Sequence, residues 1–311
     1  MFFENCSIYD RARLTLLVPI ALAANAQRRL AVAQLINRET GKLIEISLLY
    51  AGLIPEVKLG FRDGEQFLLT KSNFHAYLAK VGSRTIKQKY PQVKISAQGR
   101  YASFATEQGR RIKVNSASLA ACLGELYTPA HTEMDAKGKM VLDIGSYMGE
   151  TALYYIIQGG ALHVHTFEPV RSLYDIIVDN IRINSLKPKI TAYNLMVTGR
   201  ELPRFRNTFT INGDGNVRSI TLDQLVRKLR LHDAALKLDV EGGEYDIITN
   251  ASREALRRFR AMHIEYHYGY RDLVERLESE GFKVRRTGPW LSIIGMLGGA
   301  KYMGEIFATR V

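Results

Sequence analysis

Apolar and polar positions change their spacing at about residue 130, and the two parts of the chain predict different architectures. In the later part, short apolar runs such as Met140–Ile144 and Ala234–Val240 alternate with segments of helical period such as Arg271–Glu280. Strands that alternate with helices are typical of a parallel sheet with helices on both faces. The predicted strands are residues 140–144, 164–168, 190–197, 234–240, 261–267, 282–286 and 304–310.

The earlier part predicts short strands joined by tight turns. Asp63-Gly64 and Gln108-Gly109 are typical of hairpins, because glycine adopts the positive φ angles that such turns need. Strands are predicted at residues 43–49, 57–61, 66–70, 93–96, 100–106 and 111–114, with helices at 71–81 and 117–127. We therefore expect an N-terminal helical segment over residues 1–41, a small α+β accessory domain over 42–131, and the larger α/β domain over 132–311.

Targeting and redox features indicate an intracellular protein. The apolar run Leu14–Ala26 has about 13 residues, fewer than the roughly 20 that cross a bilayer, so we expect a packed helix and no transmembrane segment. Its end, Ala24-Asn-Ala26, resembles a signal-peptide cleavage site, but a long segment with acidic residues precedes the run. The two cysteines, Cys6 and Cys122, exclude a disulfide framework. We expect a cytoplasmic location.

The strand at Met140–Ile144 runs into a glycine turn, and an acidic residue, Glu168, follows about 20 positions later. In doubly wound folds, such an acidic residue accepts hydrogen bonds from a ribose diol. The glycine spacing here is G-x-x-x-G, and it fits S-adenosylmethionine better than NAD or FAD, whose pyrophosphate needs a third glycine. The candidate cofactor-binding residues are Asp143, Gly145, Ser146, Tyr147, Gly149, Glu168 and Pro169.

The order and spacing of several motifs resemble the FkbM family of S-adenosylmethionine-dependent methyltransferases. The matching motifs are D-I-G-S-Y-M-G, F-E-P, N-I-R-I-N-S-L, T-L-D-Q-L, K-L-D-V-E-G and I-E-Y-H, within residues 138–269. The family usually has Ala-Asn where this chain has Ser146-Tyr147. The resemblance implies a class I methyltransferase, with a seven-stranded doubly wound sheet of order 3-2-1-4-5-7-6 and an antiparallel last strand.

Charged side chains alternate along the fourth and fifth predicted strands and meet at the ligand-binding edge of the sheet. The catalytic candidates are Asp239, Glu241, Glu265 and His267. We expect His267 or Asp239 to take the proton of a hydroxyl acceptor, because an alcohol is a poor nucleophile until its proton leaves. The alternative is that Asp239, Glu241 and His267 hold a divalent ion, and the metal-free base is the favoured interpretation.

Several of these residues also have structural interpretations. Lys237 and Asp239 can form a buried ion pair that fixes the sheet, and Glu241 and Glu244 can be the acidic start of a helix. Thr221, with glutamine three positions later, predicts a helix cap rather than a catalyst. His163 and His165 are expected to be packed or exposed rather than functional, and His263 to lie in the core or behind the site. Asn180 and Asn184 are expected to be structural.

The net charge of +12 introduces a second class of acceptor. Lys80–Lys113 holds nine basic residues and one acid, a local net charge of +8, interleaved with Tyr90, Tyr101 and Phe104. This density is compatible with RNA binding, and also with a solvated face or an anionic glycan. We expect O-methylation of a hydroxyl on a sugar, glycan or small metabolite, with an RNA methyltransferase as the alternative.

Overall fold

The computed structural model describes residues 41–51, 53–61, 64–70, 77, 93, 95–98, 100–106, 108–127, 133–201, 205–206, 216–292 and 301–310. The helix predicted before Gly41, most of the helix predicted over residues 71–81 and the basic residues 80–92 lie outside this part of the chain. The described residues form two compact units, and the chain passes from one to the other after Tyr127.

The first unit contains two small antiparallel sheets. Its elements are α1 (Leu43–Ala51), β1 (Glu56–Gly60), β2 (Gln66–Thr70), β3 (Ser96–Gln98), β4 (Tyr101–Ala105), β5 (Arg111–Asn115) and α2 (Leu119–Tyr127). β1 pairs with β2 across a turn in which Gly64 has a φ of 85°, and β3, β4 and β5 form the second sheet. Gly109, with a φ of 80°, turns the hairpin between β4 and β5. Both hairpins lie where the sequence predicts them.

Two predictions for this unit are wrong. The strand predicted at 43–49 is the helix α1, which begins beside a 2.8 Å ion pair between Lys42 and Glu45. Its buried residues Ile46 and Leu49 are three positions apart, so the apolar alternation also satisfied the spacing of one helix face. In addition, the strand predicted at 93–96 starts only at Ser96.

The second unit alternates strands and helices. Its first elements are β6 (Met140–Ile144), α3 (Glu150–Ile157), β7 (His163–Phe167), α4 (Arg171–Ile183), β8 (Ile190–Tyr193), β9 (Met196–Thr198), β10 (Phe205–Arg206), β11 (Asn216–Val217) and β12 (Ser219–Thr221). The chain continues with α5 (Leu222–Lys228), β13 (Ala234–Leu238), α6 (Glu244–Asn250), α7 (Arg253–Leu256), β14 (Phe259–Tyr266), α8 (Arg271–Ser279), β15 (Lys283–Arg286), β16 (Trp290–Ser292) and β17 (Lys301–Thr309).

The main sheet has the order β15-β17-β14-β13-β6-β7-β8, and β16 pairs with β17 beside it. Numbered from β6, this order is 3-2-1-4-5-7-6, and β17 runs antiparallel to both of its main-sheet neighbours. The fold expected from the family resemblance is therefore confirmed. The central strand β13 is buried at all five positions, as expected for a parallel strand covered on both faces. Strand order reverses between β6 and β13, which places a ligand-binding crevice at their carboxyl ends.

Three local features differ from the expected pattern or refine it. The single strand predicted at 190–197 is split into β8 and β9, and between them the Asn194 side chain donates 2.9 Å hydrogen bonds to the carbonyl oxygens of Glu168 and Pro169. β9 then pairs with β12 in a separate parallel ladder. The capping box predicted at Thr221 and Gln224 is present, with both of its hydrogen bonds.

Candidate active site

The turn between β6 and α3 packs directly against the end of β13. Gly145 has a φ of 79°, in the left-handed region that favours glycine. A Cβ at this position would overlap the backbone carbonyl oxygen of Asp239. Tyr147 also has a positive φ, of 48°, and Gly149 follows at 83°. The backbone of this turn therefore lies at the crevice, and position 145 requires glycine.

Glu168 follows β7 and contacts the same turn. Its Oε2 accepts a 3.1 Å hydrogen bond from the backbone N–H of Tyr147, and its Oε1 accepts one of 2.9 Å from Val170. Burial raises the pKa of Glu168 to about 7, although both hydrogen bonds act in the opposite direction. Each oxygen of a carboxylate has two lone pairs, so Glu168 retains the capacity to accept bonds from two neighbouring hydroxyls.

Asp143 and Ser146 stabilise the turn through buried hydrogen bonds. Asp143 is completely buried, and its Oδ2 accepts hydrogen bonds of 2.8 Å from Thr151 and 3.0 Å from Thr166. The Ser146 hydroxyl donates to the carbonyl oxygen of Phe167 at 3.3 Å. These two predicted cofactor residues therefore hold the shape of the turn through contacts within the protein.

Lys237 connects the turn to β13. Its buried ammonium lies 2.5 Å from the carbonyl oxygen of Gly145, 3.7 Å from Asp143 and 3.6 Å from Asp239. Burial by itself lowers the pKa of Lys237, but the surrounding carboxylates, Asp239 first, hold it above its usual value. The structural ion pair between Lys237 and Asp239 is thus present, and it also fixes the glycine turn.

Asp239, Glu241 and His267 meet beyond the ends of β13 and β14, and we name them the carboxylate–imidazole cluster. The His267 Nε2 lies 3.8 Å from an oxygen of Asp239 and 3.5 Å from an oxygen of Glu241. One ligand atom from each residue lies within 4.8 Å of the other two. The His267 side chain is 1% exposed, whereas those of Asp239 and Glu241 are 31% and 67% exposed. The cluster is therefore closed on the imidazole side and open on the carboxylate side.

Glu244, the first residue of α6, orients the imidazole. Its Oε1 accepts a 3.0 Å hydrogen bond from the backbone N–H of His267 and lies 3.0 Å from His267 Nδ1. Its Oε2 accepts from the Gly242 N–H at 2.9 Å. Because a carboxylate only accepts hydrogen bonds, the proton on the imidazole belongs on Nδ1, and Nε2 faces Asp239 and Glu241.

The charges around His267 act against its burial. Burial lowers the pKa of His267, but the hydrogen bond with Glu244 and the negative charges of Glu244, Glu241 and Asp239 together raise it above its usual value.

Glu265, on β14, pairs across the sheet with Glu305 on β17. Burial, followed by the charges of Asp239 and Glu305, raises the pKa of Glu265 to about 8. The region around the cluster thus has an excess of carboxyl groups.

A comparison with protein families identifies this part of the molecule. Residues 143–284 match the family model of the methyltransferase FkbM domain. The chain contains a methyltransferase FkbM domain. It is accordingly a methyltransferase that uses S-adenosylmethionine, as the resemblance implied. No protein with a curated description matches the chain at a significant level.

Solved structures with a similar fold are distant in sequence. A putative transferase of Pyrococcus horikoshii is 12% identical to this chain. The match covers 90% of this chain and 98% of the transferase, with a TM-score of 0.42. TYW2 of P. horikoshii, in complex with MeSAdo, is 11% identical over 84% of this chain and 94% of its own, with a TM-score of 0.41. Methyltransferase FkbM of Methylobacillus flagellatus KT is 17% identical over 62% and 54%, with a TM-score of 0.40.

The residues of the FkbM domain fit the chemistry of S-adenosylmethionine. Glu168 offers a buried carboxylate beside the turn for the hydroxyls of a ribose. Gly145 and Gly149, both with positive φ angles, leave two positions of the turn without a side chain. Asp239 and Glu241 supply negative charge at the crevice, which suits a sulfonium cation.

The sequence brings together most of these residues but misses some of their partners. Glu244 was interpreted only as a helix start, yet it is the residue that orients His267. Glu150, whose pKa burial raises to about 8, accepts a hydrogen bond from the backbone of Met148 inside the glycine turn. The sequence carried no signal for this contact of Glu244, because Glu244 and His267 are 23 positions apart in the chain. It carried none for the contacts of Thr151 and Thr166 with Asp143 either.

The Glu168→Ala variant of the FkbM domain is expected to bind the demethylated cofactor product about 1.5 to 3 kcal/mol more weakly, the range for losing charge-assisted hydrogen bonds. In the wild-type protein, affinity should fall as the pH drops below about 7, because protonation removes the carboxylate that accepts from the ribose. Calorimetry between pH 6 and 8 measures both effects.

Two variants serve as controls for this measurement. Glu168→Gln should bind weakly and show a flattened pH dependence, since it has no group that titrates. Asp175→Asn, whose carboxylate is exposed on α4 and paired with Arg171, should bind like wild type. Unchanged affinity in Glu168→Ala would remove the assignment of Glu168 to the ribose.

Proposed function

We propose that this methyltransferase O-methylates a hydroxyl group of a sugar, glycan or small metabolite. The observation that supports this proposal is the buried imidazole of His267, held by Glu244 with its Nε2 facing Asp239 and Glu241 beside the cofactor turn. A base nitrogen of RNA has a lone pair ready for methylation, whereas an alcohol must lose a proton. A cluster built to remove a proton therefore suits a hydroxyl acceptor.

The proposed mechanism divides the work between two groups of residues. S-adenosylmethionine supplies an electrophilic methyl group on a sulfonium. The Gly145 turn and Glu168 hold the cofactor, and Lys237 keeps the turn against β13. The carboxylate–imidazole cluster positions the acceptor oxygen in line with the methyl group and removes its proton, with Glu265 next to it as a further catalytic candidate.

The remaining proposals concern the rest of the chain. Residues 42–131 form the accessory domain, and residues 132–311 carry the chemistry. Among the helices of the described residues, none has the length and apolar character needed to cross a bilayer. We place the protein in the cytoplasm because its cofactor is intracellular.

The test is to incubate the full chain with methyl-labelled S-adenosylmethionine and two separate fractions, total RNA and polar glycans with glycolipids. We expect label in the glycan fraction. It should resist mild alkali, because a methyl ether is stable where a methyl ester releases methanol. The Glu168→Ala variant provides the background. Label found in RNA alone would overturn the sugar, glycan or small metabolite as acceptor in favour of RNA methylation.

A further inference from the structure

The Nε2 atom of His267 is buried and has no hydrogen-bond partner within the described part of the chain. Buried polar atoms of side chains nearly always have such a partner, so this atom needs an explanation. Its neighbours are the oxygens of Asp239 and Glu241, at 3.8 and 3.5 Å, too far for a hydrogen bond. In the neutral imidazole with its proton on Nδ1, three atoms with lone pairs therefore lie close together without hydrogen bonds between Nε2 and either carboxylate.

The separations match the ligands of one metal ion. Two ligand atoms that each lie about 2.1 Å from an ion are about 3 to 4 Å apart, depending on the angle between them. The distances of 3.5 and 3.8 Å from Nε2 fall in this range, and the whole set lies within 4.8 Å. The Asp239 and Glu241 side chains are 31% and 67% exposed, so their oxygens have room to move towards a shared ion.

The surroundings of His267 also match those of a metal ligand. A histidine that binds a metal commonly donates its other ring N–H to a carboxylate, which fixes the tautomer and makes the ligand nitrogen more basic. Glu244 is completely buried and lies 3.0 Å from Nδ1 in this position. Glu241 has a φ of 57°, a backbone conformation that few residues other than glycine adopt. Such conformations concentrate at functional sites, where the surrounding structure holds them.

We propose that Asp239, Glu241 and His267 bind one divalent cation, with Glu244 as the residue that positions the imidazole. Carboxylates favour Mg²⁺ and Mn²⁺, whereas imidazole favours later transition metals, so Mn²⁺ and Zn²⁺ suit the mixed set best. Three protein ligands leave positions open at the exposed side of the cluster.

This site rests on the proposed function for its role and explains how the cluster removes a proton. An ion bound there would lower the pKa of an acceptor hydroxyl, and the proton would pass to solvent water. The oxygen would then form a bond to the methyl carbon while the bond between that carbon and the sulfonium sulfur breaks, and the demethylated cofactor would be the leaving group. His267 and Asp239 are ligands in this arrangement, which replaces the metal-free base favoured from the sequence.

The test measures Mn²⁺ binding to the full chain after chelator treatment, without cofactor or acceptor, from the loss of the electron paramagnetic resonance signal of free Mn²⁺. We expect one Mn²⁺ per chain. His267→Ala and Glu241→Gln should each lower the affinity by at least about 10- to 100-fold, and Glu244→Gln should lower it within that same range. Glu241 is largely exposed, so its variant should fold even if the buried variants do not.

The matched controls are His232→Ala and Glu254→Gln, two exposed residues outside the cluster, which should bind Mn²⁺ like wild type. Zn²⁺ competition against bound Mn²⁺ tests whether both ions use one site. Absence of stoichiometric binding of either ion, or undiminished affinity in Glu241→Gln, would overturn the site. A protein that binds Mn²⁺ but methylates no hydroxyl keeps this site and loses only the proposed acceptor class. Full O-methylation without any bound ion would keep the proposed acceptor class and overturn the metal site.

Discussion

The His267→Ala variant is expected to lose at least about 100-fold in kcat, the scale on which removal of a group that handles the acceptor's proton acts. Asp239→Asn should show a loss of the same order. In His267→Ala, affinity for the demethylated product should stay nearly unchanged, because the Gly145 turn and Glu168, which we propose to hold the cofactor, remain intact. Steady-state kinetics and product calorimetry, measured on the same preparations, separate the two effects.

His163→Ala is the matched control, since this histidine lies at the amino end of β7, on the opposite edge of the sheet, where its ring contacts Thr191. It should retain the wild-type kcat. Wild-type turnover in both His267→Ala and Asp239→Asn would show that the proton leaves by another route, and the cluster would lose its catalytic role.

The second large effect is expected at the glycine turn. The Gly145→Ala variant should lose more than about 100-fold in affinity for the cofactor product. The added Cβ would overlap the carbonyl oxygen of Asp239, so either the turn or the end of β13 must move. Since one wall of the crevice moves with them, the contacts to the cofactor are lost together.

Gly138→Ala separates this overlap from the general cost of a left-handed backbone. Gly138 has a φ of 70°, and a Cβ there would meet no atom within 4 Å. It should lower stability by about 1 to 2 kcal/mol, the penalty for a side chain in this conformation, and leave cofactor affinity unchanged. If denaturant unfolding and calorimetry give the same values for both variants, the close approach at Gly145 is not what requires glycine.

The sequence predicts most strands of the main sheet because runs such as those of β6 and β13 are short and predominantly apolar. Strand order came from the family resemblance, since periodicity gives elements but no neighbours. The strand predicted at Leu43–Leu49 is the helix α1, because a short alternating run satisfies both the strand and the helix spacing. The prediction of one strand at 190–197 did not foresee the role of Asn194. Between β8 and β9, its side chain donates hydrogen bonds to the carbonyl oxygens of Glu168 and Pro169.

The candidate site shows the same limit at the level of side chains. Alternation along two strands placed Asp239, Glu241 and His267 at one edge, and the structure brings them within 4.8 Å. The direction of the imidazole depends on Glu244, 23 positions earlier in the chain, through a contact that no local spacing encodes. Whether a histidine acts as a base or as a ligand depends on that direction, which the alternation of residues along a strand does not give.

The antiparallel strand β17 lies between β14 and β15, although β15 precedes it in the chain. During synthesis, therefore, β14 has an unpaired outer edge until residues 301–309 leave the ribosome, at about 5 to 20 residues per second. Exposed edges recruit other strands, so the nascent chain passes through an aggregation-prone stage at the very strand that leads to His267. Insertion of β17 also brings Glu305 beside Glu265 and His263, so these contacts at the end of β14 form only after residues 301–309 have been synthesised.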